Sequence, residues 1–80
     1  MGRYYRMSKK VSEEEASEIL REMRELENVA QVSLTENRDH MLVATKDGDF
    51  VLVMNTAVNI CRRIAGGCEL SFERFSQELS

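Results

Sequence analysis

The spacing of apolar and polar positions along this 80-residue chain changes period several times, and each change marks an element. From Ala16 onward, Ile19, Leu20, Met23 and Leu26 recur at the three-to-four spacing of one helical face, with Glu and Arg elsewhere. The helix start is encoded in Ser12-Glu13-Glu14-Glu15. The Ser12 hydroxyl can accept from the Glu15 amide while the Glu15 carboxylate reaches back, which is a capping box. Val11 and Ala16 stand where a hydrophobic staple would, and the three glutamates occupy the positive end of the helix dipole. This helix is predicted to run to about Glu27, with Arg21 and Glu25 spaced to pair for ~0.3 kcal/mol. The period then drops to two. Val29, Gln31, Ser33 and Thr35 alternate with Ala30, Val32 and Leu34, as in a half-buried strand. Glu36-Asn37-Arg38-Asp39 is a polar turn, and His40 to Thr45 is a second run of strand formers that should pair with the first as a hairpin.

Residues 46–65 carry two patterns. Asp47-Gly48 between apolar runs is a hairpin signal that would make Phe50–Met54 a strand. Against it, Phe50, Val53, Met54, Ala57, Val58, Cys61, Ile64 and Ala65 form one helical stripe, with Asn55, Asn59, Arg62 and Arg63 opposite. The helical reading leaves only Leu52 misplaced, so one helix is expected over about 49–65, capped by Asp47 or Asp49. Gly66-Gly67 should end it, since glycine takes the left-handed conformation of a helix stop. Cys68, Leu70 and Phe72 then alternate with Glu69, Ser71 and Glu73 as a last strand. Arg3 to Lys9, with Tyr4, Tyr5 and Met7 among the bases, supplies a first one.

Strand, helix, strand, strand, helix, strand is the order of an α+β ferredoxin-like plait: a four-stranded antiparallel sheet, strand order 4-1-3-2, with both helices on one face. A single domain over residues 1–76 is expected, with Phe75 and Leu79 packing as a short tail and 77–80 frayed. The basic first strand would lie centrally and leave the open sheet face as the contact surface. Arg3, Tyr5, Arg6, Lys9 and Lys10 are therefore the candidate partner-contact residues.

Composition narrows the classes. The hydrophobic fraction of 42% is that of a folded domain. Apolar runs reach only five residues, Phe50 to Met54, too few for a transmembrane span or a signal-peptide core, so a cytoplasmic domain is expected. Two cysteines are too few to staple a secreted scaffold. The net charge of −3 conceals +4 over residues 1–10, −5 over 11–28 and −2 over the remainder. A basic edge beside an acidic helix suits a protein partner or self-association better than phosphate, so nucleic acid is disfavoured. An RNA-binding plait stays as an alternative, with Tyr4 or Tyr5 between Arg3 and Arg6 to stack a base. The third strand offers only His40 for the second platform.

Candidate chemistry is sparse. His40 is the one histidine, at a turn-to-strand boundary where solvent exposure is expected, and no nucleophile elbow or Cys–His pairing is present, so an enzyme is not expected. Asp39, Asp47 and Asp49 lack the other ligands of a calcium loop and read as turn and cap residues. Cys61 and Cys68, seven apart, read as small buried hydrophobes; a two-thiolate site built from them is the remaining metal candidate. Met23 and Met54 lie on the helix stripes and read as core filler.

Two stretches carry a family resemblance. Leu26-Glu27-Asn28-Val29-Ala30-Gln31-Val32-Ser33-Leu34 is similar to the leucine-x-glycine-valine-x-x-valine run of heavy-metal-associated domains, the copper-chaperone and transporter-tail module, with Asn28 in place of the glycine. The family's Met-x-Cys-x-x-Cys loop corresponds to Met7-Ser8-Lys9-Lys10-Val11-Ser12, with Lys9 and Ser12 where the thiolates stand. The resemblance implies the plait. It also implies a degenerate form without a soft-metal loop: a non-catalytic binding or regulatory domain without cofactor, acting through protein contact. The alternative is a metal-handling module using Cys61 and Cys68.

Overall fold

Each of the predicted elements forms, in the predicted order. The computed structural model describes residues 2–76: β1 Gly2–Met7, α1 Glu13–Arg24, β2 Val29–Leu34, β3 His40–Thr45, α2 Val51–Ile64 and β4 Leu70–Ser76. The strands make one antiparallel sheet in the order β2-β3-β1-β4, so the chain is a ferredoxin-like α+β plait with β1 and β3 central. Fraying of 77–80 and the packing of Leu79 concern residues outside those described; Phe75 lies within β4 itself. No helix among the described residues is long and apolar enough to cross a membrane.

The capping box at α1 is complete. Ser12 Oγ accepts from the Glu15 amide at 3.1 Å, and Glu15 Oε1 accepts from the Ser12 amide at 2.9 Å. The Glu15 carboxyl is held below its ordinary range, chiefly by that backbone bond. α1 then buries Ala16, Ile19 and Met23. α2 resolves the two competing patterns of its segment: residues 51–54 are helical, and Val53, Ala57, Ile60 and Cys61 face the core. Phe50, not an aspartate, is the cap residue, with its ring buried. The aspartates act one step earlier. Asp47 accepts from the Asp49 amide at 2.9 Å, and Asp49 accepts from the Val51 amide at 3.0 Å, so the Asp-Gly turn and the helix start are one relay. Val51 joins Leu52 on the solvent side, at 70% and 72% exposure. At the far end the Gly67 amide donates to the Arg62 carbonyl at 3.2 Å, with Gly66 and Gly67 at φ +50° and +84°.

The sheet departs from strict alternation at both edges. In β2, Val29 pairs with Thr45 and Gln31 with Ala44, so Ala30 is an extra residue. That bulge brings Val29 onto the buried face with Val32, at 8% and 6% exposure, although they stand three positions apart. The expected grouping of Val29 with the outward Gln31 and Ser33 is corrected accordingly. In β4, Tyr4 pairs with Arg74 and Tyr5 with Phe72, which makes Glu73 the extra residue.

Two side chains tie the layers together. Arg38 closes the β2–β3 turn at φ +58°, and its Nε donates to the Val11 carbonyl at 2.9 Å, which fixes the entry to α1. Asn28 Nδ2 donates to the Asp49 carbonyl at 3.1 Å, and the Asn28 carbonyl accepts from the Lys46 amide at 2.9 Å. Asn28 thus joins the loop before β2 to the loop before α2.

Candidate partner-binding surface

The β1–α1 loop is the first place to look, because it is where the resemblance puts a metal. Met7 is buried at its root. The Ser8 amide donates to the Glu69 carbonyl and the Ser8 hydroxyl accepts from the Glu69 amide, both at 2.9 Å, which ties the loop to the approach to β4. Lys9 and Lys10 are exposed, and the Ser12 hydroxyl is engaged in the cap. Arg6, Asp39, Glu69 and Ser71 complete the rim of a shallow, charge-mixed depression there. An ammonium group is a cation and no soft-metal ligand, so this rim suits polar contact.

Cys61 and Cys68 are free thiols, both fully buried. Burial pushes the Cys61 thiol up to about 12, and the adjacent Cys68 adds to the rise. The two sulfurs therefore neighbour one another in the core, and the Cys61 thiol keeps its proton at neutral pH. Among the described residues no group of three or more His, Cys, Asp or Glu side chains gathers as metal ligands do.

His40 is not the free surface residue expected from its position. Its Nδ1 lies 2.9 Å from Asp39 Oδ1 and its Nε2 lies 3.1 Å from Glu73, so it bridges the β2–β3 turn and the β4 bulge. Its side chain keeps only 24% exposure. Hydrogen bonding to Asp39, then to Glu73, raises the His40 pKa, and His40 in turn holds Asp39 below its ordinary range. Asp39 also accepts from Thr35 Oγ1 at 3.2 Å. Sequence spacing could not pair His40 with Glu73, since the two are 33 residues apart and meet only through the sheet.

A third cluster follows β4, the free edge beside β1. The Arg3 guanidinium stands 4.2 Å from the ring centre of Phe50, 5.3 Å from Phe75 and 5.7 Å from Phe72. Phe72 and Phe75 meet edge to face at 5.0 Å, and Tyr5 packs against Phe72 at 6.0 Å. Each ring offers its negative face to the cation, ~0.5–1 kcal/mol where exposed and more where water is excluded. No salt bridge joins Arg3 to a carboxylate among the described residues. The rings stay open to solvent nonetheless, Phe72 at 50% and Phe75 at 57%. On the opposite, open face of the sheet Arg74 lies over Tyr4 at 4.5 Å.

The five residues expected to share one contact surface are distributed over three places. Tyr5 is 4% exposed on the helix side, its hydroxyl without a hydrogen-bond partner among the described residues and its pKa raised by burial. Arg3 lies on that same side, held in the aromatic cluster. Arg6 is exposed on β1 opposite His40, and Lys9 and Lys10 belong to the loop. The exposure of Phe72 and Phe75 was not foreseen; the signal available was two phenylalanines three apart in the last strand.

No protein-family model and no curated protein sequence matches the chain. A solved structure described by the words "Crosstalk between Cu(I) and Zn(II) homeostasis" is similar, with a TM-score of 0.62 at 11% identity, covering 91% of this chain and 98% of that one. At that identity the likeness is one of fold, and it agrees with the plait expected from the order of elements.

Proposed function

We propose that this chain is a small non-catalytic binding or regulatory domain that works through protein–protein contact, on a plait of the heavy-metal-associated kind with lysine and serine at the loop thiolate positions. The observation that carries this reading is the exposed Phe72–Phe75 pair along the free edge of β4, backed by Arg3. Aromatic side chains and arginine are the groups that protein interfaces favour, and a free strand edge offers unpaired backbone besides. The test is a photo-cross-linking amino acid placed in cells at Leu42, paired with Tyr4 on the open side of the sheet, at the exposed Leu52, or at Phe72. A discrete protein adduct from at least one position is the expected result, and the absence of any adduct from all three overturns the reading.

A second reading, metal handling, draws on the subject of the similar solved structure and on the adjoining thiols Cys61 and Cys68. Both thiols would have to leave the core and lose their protons to serve as ligands. Titration with Cu(I) and Zn(II) separates the two. Contact function predicts no stoichiometric uptake, whereas uptake abolished by Cys61→Ala or Cys68→Ala establishes the metal reading in its place.

A further inference from the structure

Strand β4 contains the segment Ser71-Phe72-Glu73-Arg74-Phe75-Ser76, which reads nearly the same in both directions. Laid antiparallel against itself with the two-fold axis between Glu73 and Arg74, it puts Phe72 opposite Phe75 of the second copy, Glu73 opposite Arg74, and Ser71 opposite Ser76. Every opposed pair is one that sheets favour: aromatic with aromatic, acid with base. Each occurs twice, because a two-fold contact repeats itself.

The bulge decides whether this register can be built. Directly opposed residues in an antiparallel pair project to the same face of the sheet. In a regular strand Phe72 and Phe75, an odd number apart, would project to opposite faces and the register would fail. Here the extra residue at Glu73 puts both rings on the helix side, next to Tyr5 and Arg3. Glu73 and Arg74 both turn to the open side, the first to His40 and the second over Tyr4. The strand therefore matches a partner carrying the same insertion at the same place. A regular strand would fall one residue out of step on crossing it.

We infer that the free edge of β4 is the docking surface for a second copy of this chain, joined two-fold with Phe72 against Phe75 and Glu73 against Arg74. The product is one continuous eight-stranded sheet with all four helices on the same side and the half-exposed rings covered. This deepens the contact reading above, on which it rests, by naming the surface and the partner.

Sedimentation velocity across a concentration series tests it, with charge exchange as the probe. The wild-type chain is expected to dimerise reversibly. Glu73→Arg places arginine opposite arginine twice, and Arg74→Glu places glutamate opposite glutamate twice, so each alone should weaken dimerisation by about tenfold or more. An equimolar mixture of the two variants should form the heterodimer, and the double variant Glu73→Arg/Arg74→Glu should regain the homodimer. Because Glu73 also holds His40, the rescue in the mixture, and not the loss in either variant, is decisive: it cannot come from a misfolded chain. A second measurement fixes the register. A photo-cross-linker at position 72, in a mixture of isotopically light and heavy chains, should join peptides of different label through residue 75. A wild-type chain that stays monomeric at every concentration, a dimer indifferent to both charge reversals, or a mixture that does not associate overturns the proposal. A monomer that still cross-links to another protein from position 42 or 52 in cells overturns this pairing alone and leaves the contact reading standing.

Discussion

Replacing the two buried cysteines measures how much of the core they hold. Cys61→Ala removes one heavy atom from a fully buried site, a change comparable to Ile→Val and worth ~1 kcal/mol. Cys61→Ser keeps the size but brings in a hydroxyl, which costs a further ~1–3 kcal/mol where it finds no partner. On α2 that hydroxyl can turn back to the Ala57 carbonyl four residues earlier, so the total should stay at about 2 kcal/mol. Cys68 lies outside any helix, and its sulfur has the Glu69 carbonyl at 3.9 Å as a distant polar neighbour. Cys68→Ser should therefore cost more, about 3 kcal/mol. A domain of this length has roughly 4–12 kcal/mol of stability in all, so the loss is large. Urea unfolding is the assay: with a slope of about 1 kcal/mol per molar, the midpoint should fall by roughly 1 M for Cys61→Ala, 2 M for Cys61→Ser and 3 M for Cys68→Ser, at unchanged slope. In parallel, a thiol reagent should react with neither cysteine until the chain unfolds, because both are fully buried and burial has pushed the Cys61 thiol up to about 12. The reasoning is refuted if serine at position 61 costs no more than alanine and the native thiols react like free cysteine. Both sulfurs would then be reaching solvent.

Other expectations follow from the same structure. His40 has a folded pKa above its ordinary value, so its contribution to stability is full below about pH 6.5 and is lost as pH rises through the folded value. Asp39 is held below its ordinary range, so its share is present above about pH 4 and is lost as pH falls through the folded value. The stability difference between wild type and His40→Gln should therefore be greatest between those limits and shrink above them; an NMR titration placing His40 at or below its ordinary value contradicts this. Ser12→Ala should lower stability by about 1 kcal/mol, and Glu15→Ala should cost little more once Ser12 is gone, as a double-mutant cycle would record. Lys9→Cys with Ser12→Cys reproduces after Met7 the loop spacing of heavy-metal-associated domains and should confer one-to-one Cu(I) uptake, readable by competition with a chromogenic chelator. If uptake is absent in a folded variant, the correspondence drawn between Met7–Ser12 and the metal loop is wrong.

The elements and their order were legible because each has a local cause: a capping box at Ser12, a buried stripe along α2, two glycines after Ile64. The sheet was less legible where the chain breaks its own period. A strict alternation assigns Val29 outward, and only the pairing with β3 reveals that Ala30 is extra. The five residues grouped as one surface turned out to be dispersed for a related reason. Four bases near the N-terminus suggested one basic face, but a strand sends alternate residues to opposite sides, and Arg3 and Tyr5 both went inward. In sequence Phe72 fell on the apolar side of the last strand and Phe75 in a packing tail. Their exposure follows from belonging to the edge strand, a property of sheet order that no local pattern carries. The His40–Glu73 contact is long-range in the same sense.

The bulge at Ala30 serves nothing in the burial of β2. With that residue deleted, Val29, Gln31, Val32, Ser33 and Leu34 would alternate in and out without interruption, and the same three apolar side chains would still reach the core. What the extra residue changes is the outer rim. The two free rims of the sheet are interrupted at different places, one just after its first residue and the other in its middle. Attaching the β2 rim of one molecule to the β4 rim of the next is the arrangement that leaves a fresh rim after every addition and so grows without end. Out-of-step interruptions deny that joint its run of backbone bonds. An otherwise superfluous alanine thus leaves the two bare margins of the sheet mismatched in backbone register.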